Sequence, residues 1–192
     1  MTDIAAYERN KYERMWAYDS YRINSPGEHV VDKFLEGVRW EREDSALDAG
    51  CGTGRAAHKL SLHGLDVTML DFCPSAVDPS IGKLGFPFID ANLWDEAWIH
   101  SRLFDWIFCA DVMEHIPPDY VETVLTNLAA VCAKGGFFQI AMFEDGCGRE
   151  IGEPLHLTIC GVPWWIEQLS KHFNVKRQES DQLRLLALVA KL

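Results

Sequence analysis

LDAGCGTGR, residues 47–55, sets Gly50, Gly52 and Gly54 between an apolar run and a helix-patterned run. SALDAG (45–50) is a short apolar strand ending in glycine, RAAHKLSLHG (55–64) reads as a helix closed by Gly64, and LDVTMLD (65–71) returns as a strand. Together they predict a βαβ unit. Glycine at the bend permits positive φ and lets a ligand approach the main chain where no Cβ stands in the way.

Outward from this unit the alternation continues. A helix is expected from Pro74 to about Gly82, then a short strand at FPFID (86–90) and a strong one at FDWIFCAD (104–111). Beyond Pro117, apolar Val121, Val124, Leu125, Leu128 and Val131 recur at helical spacing and predict a helix over 118–133. GGFFQIAMF (135–143) is the next strand; a polar loop (144–158), a helix (162–172) and a terminal hairpin of FNVKRQ and LRLLALVAKL follow. Upstream, residues 3–20 look like an amphipathic helix. SPGEHVVDKFLEGVRWE (25–41) looks like a second, with Ser25 as N-cap, Pro26 in the first turn and Glu28 three residues on. Apolar strands alternating with helices imply an α/β fold, a doubly wound and mostly parallel sheet with helices on both faces. We expect one domain over 1–192, with 1–43 as an N-terminal helical lid and 44–192 as the core.

Composition narrows the function. The chain has 192 residues, 48% hydrophobic, with 18 Lys and Arg against 29 Asp and Glu, a formal charge of −11. That balance repels nucleic acid and anionic lipid. No apolar run reaches the ~18 residues of a spanning helix, and the first residues lack the apolar stretch of a signal peptide, so a cytoplasmic protein is expected. Cysteines 51, 73, 109, 132, 147 and 160 form no CxxC pair, so free thiols and no metal site are expected.

In doubly wound sheets ligands bind at the carboxyl ends of the strands. Asp71 lies 21 residues after Gly50 at the end of the second strand, where an acidic side chain can take both hydroxyls of a ribose. Asp90 ends the third strand, within reach of an adenine amino group. The GxGxG spacing departs from the GxGxxG of a pyrophosphate cradle, and Asp48 sets a carboxylate beside the bend. A carboxylate there repels a diphosphate and suits a cation. The ligand inferred is a positively charged adenosine compound, and a nicotinamide dehydrogenase is disfavoured.

LDAGCGTGR, VTMLDFCPSAV, FPFIDANLWD and FDWIFCADVMEHIP, in this order and spacing, resemble the class I S-adenosylmethionine-dependent methyltransferases over about residues 45–145. The resemblance implies a seven-stranded sheet with its last strand antiparallel, S-adenosyl-L-methionine as cofactor and S-adenosyl-L-homocysteine as product. It implies that Asp48 and the amides of Gly50, Cys51 and Gly52 hold the methionine part. Asp71 would hold the ribose, Phe72 would pack on adenine, and Asp90 with the Ala91 amide would read the adenine edge. Ala110 and Asp111 would line the methionine arm, and Tyr21 and Arg22 would reach the cofactor carboxylate from the lid.

Methyl transfer from a sulfonium is an in-line displacement that needs positioning and, for a hydroxyl acceptor, a base. The candidates are His115 in DVMEHIPP and His156 in GEPLHLTICGVPWWIEQL, with Asp145 and Glu144 as potential partners. The amino-methylating NPPY or DPPY string is absent after the fourth strand, where CADVMEH stands, which favours oxygen. The leading expectation is transfer to a small-molecule or saccharide-like acceptor. The alternative is a non-catalytic S-adenosylmethionine-binding sensor or accessory subunit.

Overall fold

The structure, a computed structural model, describes residues 3–24, 26–100 and 102–192. The strands are β1 (Ser45–Ala49), β2 (Asp66–Asp71), β3 (Phe88–Asp90), β4 (Phe104–Ala110), β5 (Cys132–Ala141), β6 (Phe173–Ser180) and β7 (Arg184–Lys191). They form one sheet in the order β3-β2-β1-β4-β5-β7-β6. Pairing is parallel from β3 through β5, and β7 runs antiparallel to both β5 and β6. This is the doubly wound sheet with an antiparallel last strand that was expected.

Strand alternation divides the core between the two faces. Ala46, Trp106, Phe108 and Phe137 pack with Val31, Phe34, Ala57 and Leu60 on one face. Their neighbours Leu47, Ile107, Cys109 and Phe138 pack with Val124, Leu128, Trp165 and Leu169 on the other. The helices responsible are α3 (Val31–Gly37) and α4 (Arg55–Leu62) on the first side, and α6 (Val121–Val131) and α7 (Val162–His172) on the second. Phe34 and Trp165 are fully buried, so truncating either to alanine costs roughly 3–5 kcal/mol.

The leading segments differ from expectation. Residues 3–20 break into α1 (Ile4–Met15), capped by the Asp3 side chain, and α2 (Asp19–Ile23), because the chain is extended at Tyr18. The segment from 26 starts as a 3-10 turn (Pro26–Val30) and its α-helix ends at Gly37, where Val38 turns extended; the proposed Ser25 cap lies outside the described residues. Residues 74–82 split into a 3-10 turn (Pro74–Ala76) and α5 (Pro79–Gly82). Pro79 disfavours the helical region at the residue before it, and Asp78 is extended.

A third, smaller cluster joins Tyr12 and Met15 of α1 to Cys73, Ala76 and Leu155 above the carboxyl ends of the strands. It seats the leading helices as a roof. All six cysteines are free thiols, and among the described residues no helix is long and apolar enough to cross a membrane.

Candidate active site

The sheet order reverses between β1 and β4, and a cavity of about 440 Å³ opens there beneath the roof. Such a switch point is where a crevice forms at strand ends. Two different chemistries occupy its two ends.

At the first end the β1–α4 bend is shaped by close approach. Gly50 has φ +74°, and a Cβ on it would lie 2.5 Å from Val112 Cγ2. Gly52 has φ +49° and faces the Trp16 ring, which a Cβ would approach to 3.1 Å. Asp48 and Asp71 both line the cavity, and both are buried. Asp71 is fixed by two amides, from Gly52 (2.9 Å) and Cys73 (2.8 Å). Asp48 Oδ2 has no hydrogen-bond partner among the described residues. Burial pushes the Asp48 carboxyl up to about 7 and that of Asp71 up to about 6. A buried carboxylate oxygen without a donor is costly, and a cationic ligand relieves that cost.

Several of the expected site residues make contacts within the protein. The amides of Gly50 and Cys51 both donate to Leu70 O (2.8 and 3.0 Å) and that of Gly52 to Asp71, so these N–H groups tie the bend to β2. The Ala91 amide donates to Asp71 O at 3.3 Å. The Asp90 side chain is exposed and pairs with Arg9 at 2.7 Å. Arg22 lies off the lining: it pairs with Asp78 at 3.0 Å and donates to Ala76 O at 2.8 Å, bracing the roof. Gly50, Cys51, Gly52, Ala91, Phe72, Tyr21, Ala110 and Asp111 do line the cavity.

Sequence reasoning missed Asn92, which is buried in the lining with its Nδ2 unpartnered among the described residues. It stands two residues past Asp90, so the polar group facing the cavity follows the strand end rather than closing it. It also missed Tyr12 of α1, Trp16 just after it, and Glu8, whose buried carboxylate pairs with Lys11.

The other end is built from distant segments. Asp111 takes a left-handed turn (φ 53°) after β4, and its carboxylate accepts from Gln139 Nε2. The 3-10 turn Met113–His115 follows. Its Glu114 carbonyl accepts from the amides of Leu157 (2.8 Å) and Thr158 (2.9 Å), and Thr158 Oγ1 donates to Ile116 O at 2.7 Å. These bonds bring His156 against His115, ring centroids 4.7 Å apart and nearly perpendicular. His156 Nδ1 lies 2.6 Å from Phe143 O. His115 Nδ1 lies 2.6 Å from the Tyr12 hydroxyl and 3.1 Å from Leu155 O. Burial, with His156 beside it, pushes the His115 imidazole down to about 3, so it is neutral at ordinary pH. Asp145 lines the cavity but accepts from the amides of Cys147 and Gly148 in its own loop. Trp165 is core and Trp164 packs edge-on against it, so this pair anchors α7.

Residues 46–136 match a protein family described as a methyltransferase domain. A ubiquinone biosynthesis O-methyltransferase of Rickettsia prowazekii is 28% identical over 131 residues, covering 60% of this chain and 51% of the relative. The chain thus spans about half the length of that relative. In fold it is similar to the N-methyltransferase NodS of Bradyrhizobium japonicum in complex with S-adenosyl-L-homocysteine, with TM-score 0.70, 19% identity and coverage of 96% and 98%. It is also similar to the 1,6-didemethyltoxoflavin-N1-methyltransferase of Burkholderia thailandensis, with TM-score 0.73, 21% identity and coverage of 98% and 89%.

Proposed function

We propose that this chain, a member of the class I S-adenosylmethionine-dependent methyltransferases by its residues 46–136, methylates a hydroxyl of a small-molecule acceptor. The observation that carries this reading is the buried Asp48 carboxylate, whose Oδ2 has no hydrogen-bond partner among the described residues, in a cavity also lined by His115 and His156.

The donor set fits the cofactor. Asp48 would balance the positive charge of the methionine part, Asp71 has acceptor capacity left for ribose hydroxyls beyond its two amide bonds, and Phe72 and Trp94 offer faces for adenine. Asn92 Nδ2 would donate to a ring nitrogen of the base, beside the adenine amino group that Asp90 was expected to accept from. When bound, S-adenosylmethionine supplies a methyl group on a sulfonium, and the displaced electron pair stays on sulfur in S-adenosylhomocysteine. The work of the chain is to align and to exclude water: Tyr12, Trp16 and Tyr21 roof the cavity. His156 is the acceptor-side residue. With Nδ1 turned to a carbonyl, which only accepts, Nδ1 carries the proton and Nε2 keeps a lone pair for the acceptor's hydroxyl. His115, whose conjugate acid is strong, orients rather than takes the proton.

Transfer to oxygen is supported by the name of the curated relative and by the imidazole lone pair. A screen of hydroxylated small molecules for S-adenosylhomocysteine release tests it. We expect turnover with at least one hydroxyl acceptor; cofactor binding with no turnover on any acceptor would point instead to a sensor.

A further inference from the structure

The acceptor end carries a feature that a general base does not need. One ligand atom from each of Glu114, His115 and His156 lies within 4.8 Å of the others. Glu114 is fully buried; its Oε1 accepts from the Ala141 amide at 3.1 Å, and its carboxyl contacts the neighbouring Asp111 carboxyl. Two buried carboxyls side by side next to two imidazoles repel each other when both are ionised, and a cation among them would relieve that repulsion.

Both histidines are preset as ligands. A metal-binding imidazole commonly donates its other ring N–H to a carbonyl, which fixes tautomer and orientation. His156 Nδ1 faces Phe143 O. Around His115 the self-consistent pattern has Nδ1–H donating to Leu155 O and the Tyr12 oxygen, while the Tyr12 hydroxyl donates to Leu155 O at 3.4 Å. The reverse tautomer would set two lone pairs against each other at 3.1 Å. Each ring therefore keeps Nε2 as its lone pair. The charged side chains facing the group are Asp111, Asp145 and Glu8 on the acidic side and Arg184 and Lys11 on the basic side. With Glu114 the balance favours a cation.

We propose that Glu114, His115 and His156 form a binding site for a first-row divalent cation that holds the oxygen of the acceptor's hydroxyl in its open coordination position. Two imidazoles and one carboxylate suit zinc, manganese or iron(II) rather than the all-oxygen shells of calcium and magnesium. The cation acidifies the hydroxyl bound to it, whose proton leaves to water. The oxygen then forms its bond to the methyl carbon as the carbon–sulfur bond breaks. His156 is then a ligand, and the cation replaces it as the activating group. This deepens the methyltransferase reading and rests on it for the acceptor.

The test needs no acceptor. The full chain is stripped with a chelator and titrated with Mn²⁺ by calorimetry and with Co²⁺ by visible absorption, while S-adenosylmethionine affinity is measured on the stripped protein. We expect one equivalent bound, and at least about tenfold weaker binding in Glu114→Gln and in His156→Ala. His156 is only half-buried, so its variant serves if the buried Glu114→Gln fails to fold. No saturable binding, or binding unmoved by His156→Ala, would overturn the cation site. Because cofactor affinity is read separately, failure of the cation site leaves the methyltransferase reading standing, and loss of cofactor binding strikes only that reading.

Discussion

The two ends of the cavity contrast in how the chain builds them. The Asp48–Asp71 end comes from one βαβ unit, residues 45–71, and its carboxylates are placed by strand ends and a glycine bend. The His115–His156 end joins α1, the turn after β4 and the loop after β5, held by bonds spanning up to 143 residues in sequence, such as Tyr12 Oη to Leu155 O. The first end is local and solves the problem shared by every reaction of this cofactor. The second is assembled by tertiary contacts and is free to differ between acceptors.

Substitutions can break or sharpen that contrast. The largest effect is expected at the acceptor end: His156→Ala should lower kcat by roughly 10²-fold or more while S-adenosylmethionine affinity stays within about twofold. Steady-state kinetics beside calorimetry separate the two, and equal losses in both would erase the division of labour. Next come Asp71→Ala and Asp48→Asn. Each removes a charged hydrogen-bonding group worth about 1.5–3 kcal/mol, so cofactor affinity should fall roughly ten- to hundredfold with circular dichroism unchanged.

Asp48 also has a signature in stability. Its folded pKa of about 7 lies above the unfolded carboxylate range, so the folded state favours the protonated form. That contribution is full below about pH 4 and is lost as pH rises through 7. Cofactor-free protein should therefore lose roughly 2–4 kcal/mol between pH 4 and 8 from this group, and the slope should flatten in Asp48→Asn. Denaturant titrations across that range decide it; a flat wild-type profile would mean that the carboxylate has a partner. The smallest effect is expected at Arg22→Ala, which loses the Asp78 pair and costs about 1–3 kcal/mol of stability with little change in cofactor affinity. A tenfold affinity loss there would return Arg22 to the cofactor.

The division also explains what was legible in the sequence. Asp48, Gly50 and Asp71 could be read because period-two apolar strands and a glycine bend fix their positions within a few dozen residues. Around Asp90 less was legible: pattern marks where a strand stops, but not that Arg9 from α1 pairs with the Asp90 side chain or that Asn92 is buried in the cavity lining. Nor does a sequence show that Leu70 O accepts from the Gly50 and Cys51 amides of the bend. Tyr12 and Glu8 carry no motif at all. Their signal, polar groups on an otherwise ordinary amphipathic helix, acquires meaning only once that helix is folded over the strand ends.

The most direct measurement is calorimetric titration of S-adenosylmethionine into the wild-type chain and into Asp48→Asn at pH 8. We predict saturable one-to-one binding to the wild type and at least about tenfold weaker binding to the variant. Equal affinities, or no binding to the wild type, would contradict a cation held against the unpaired Asp48 oxygen.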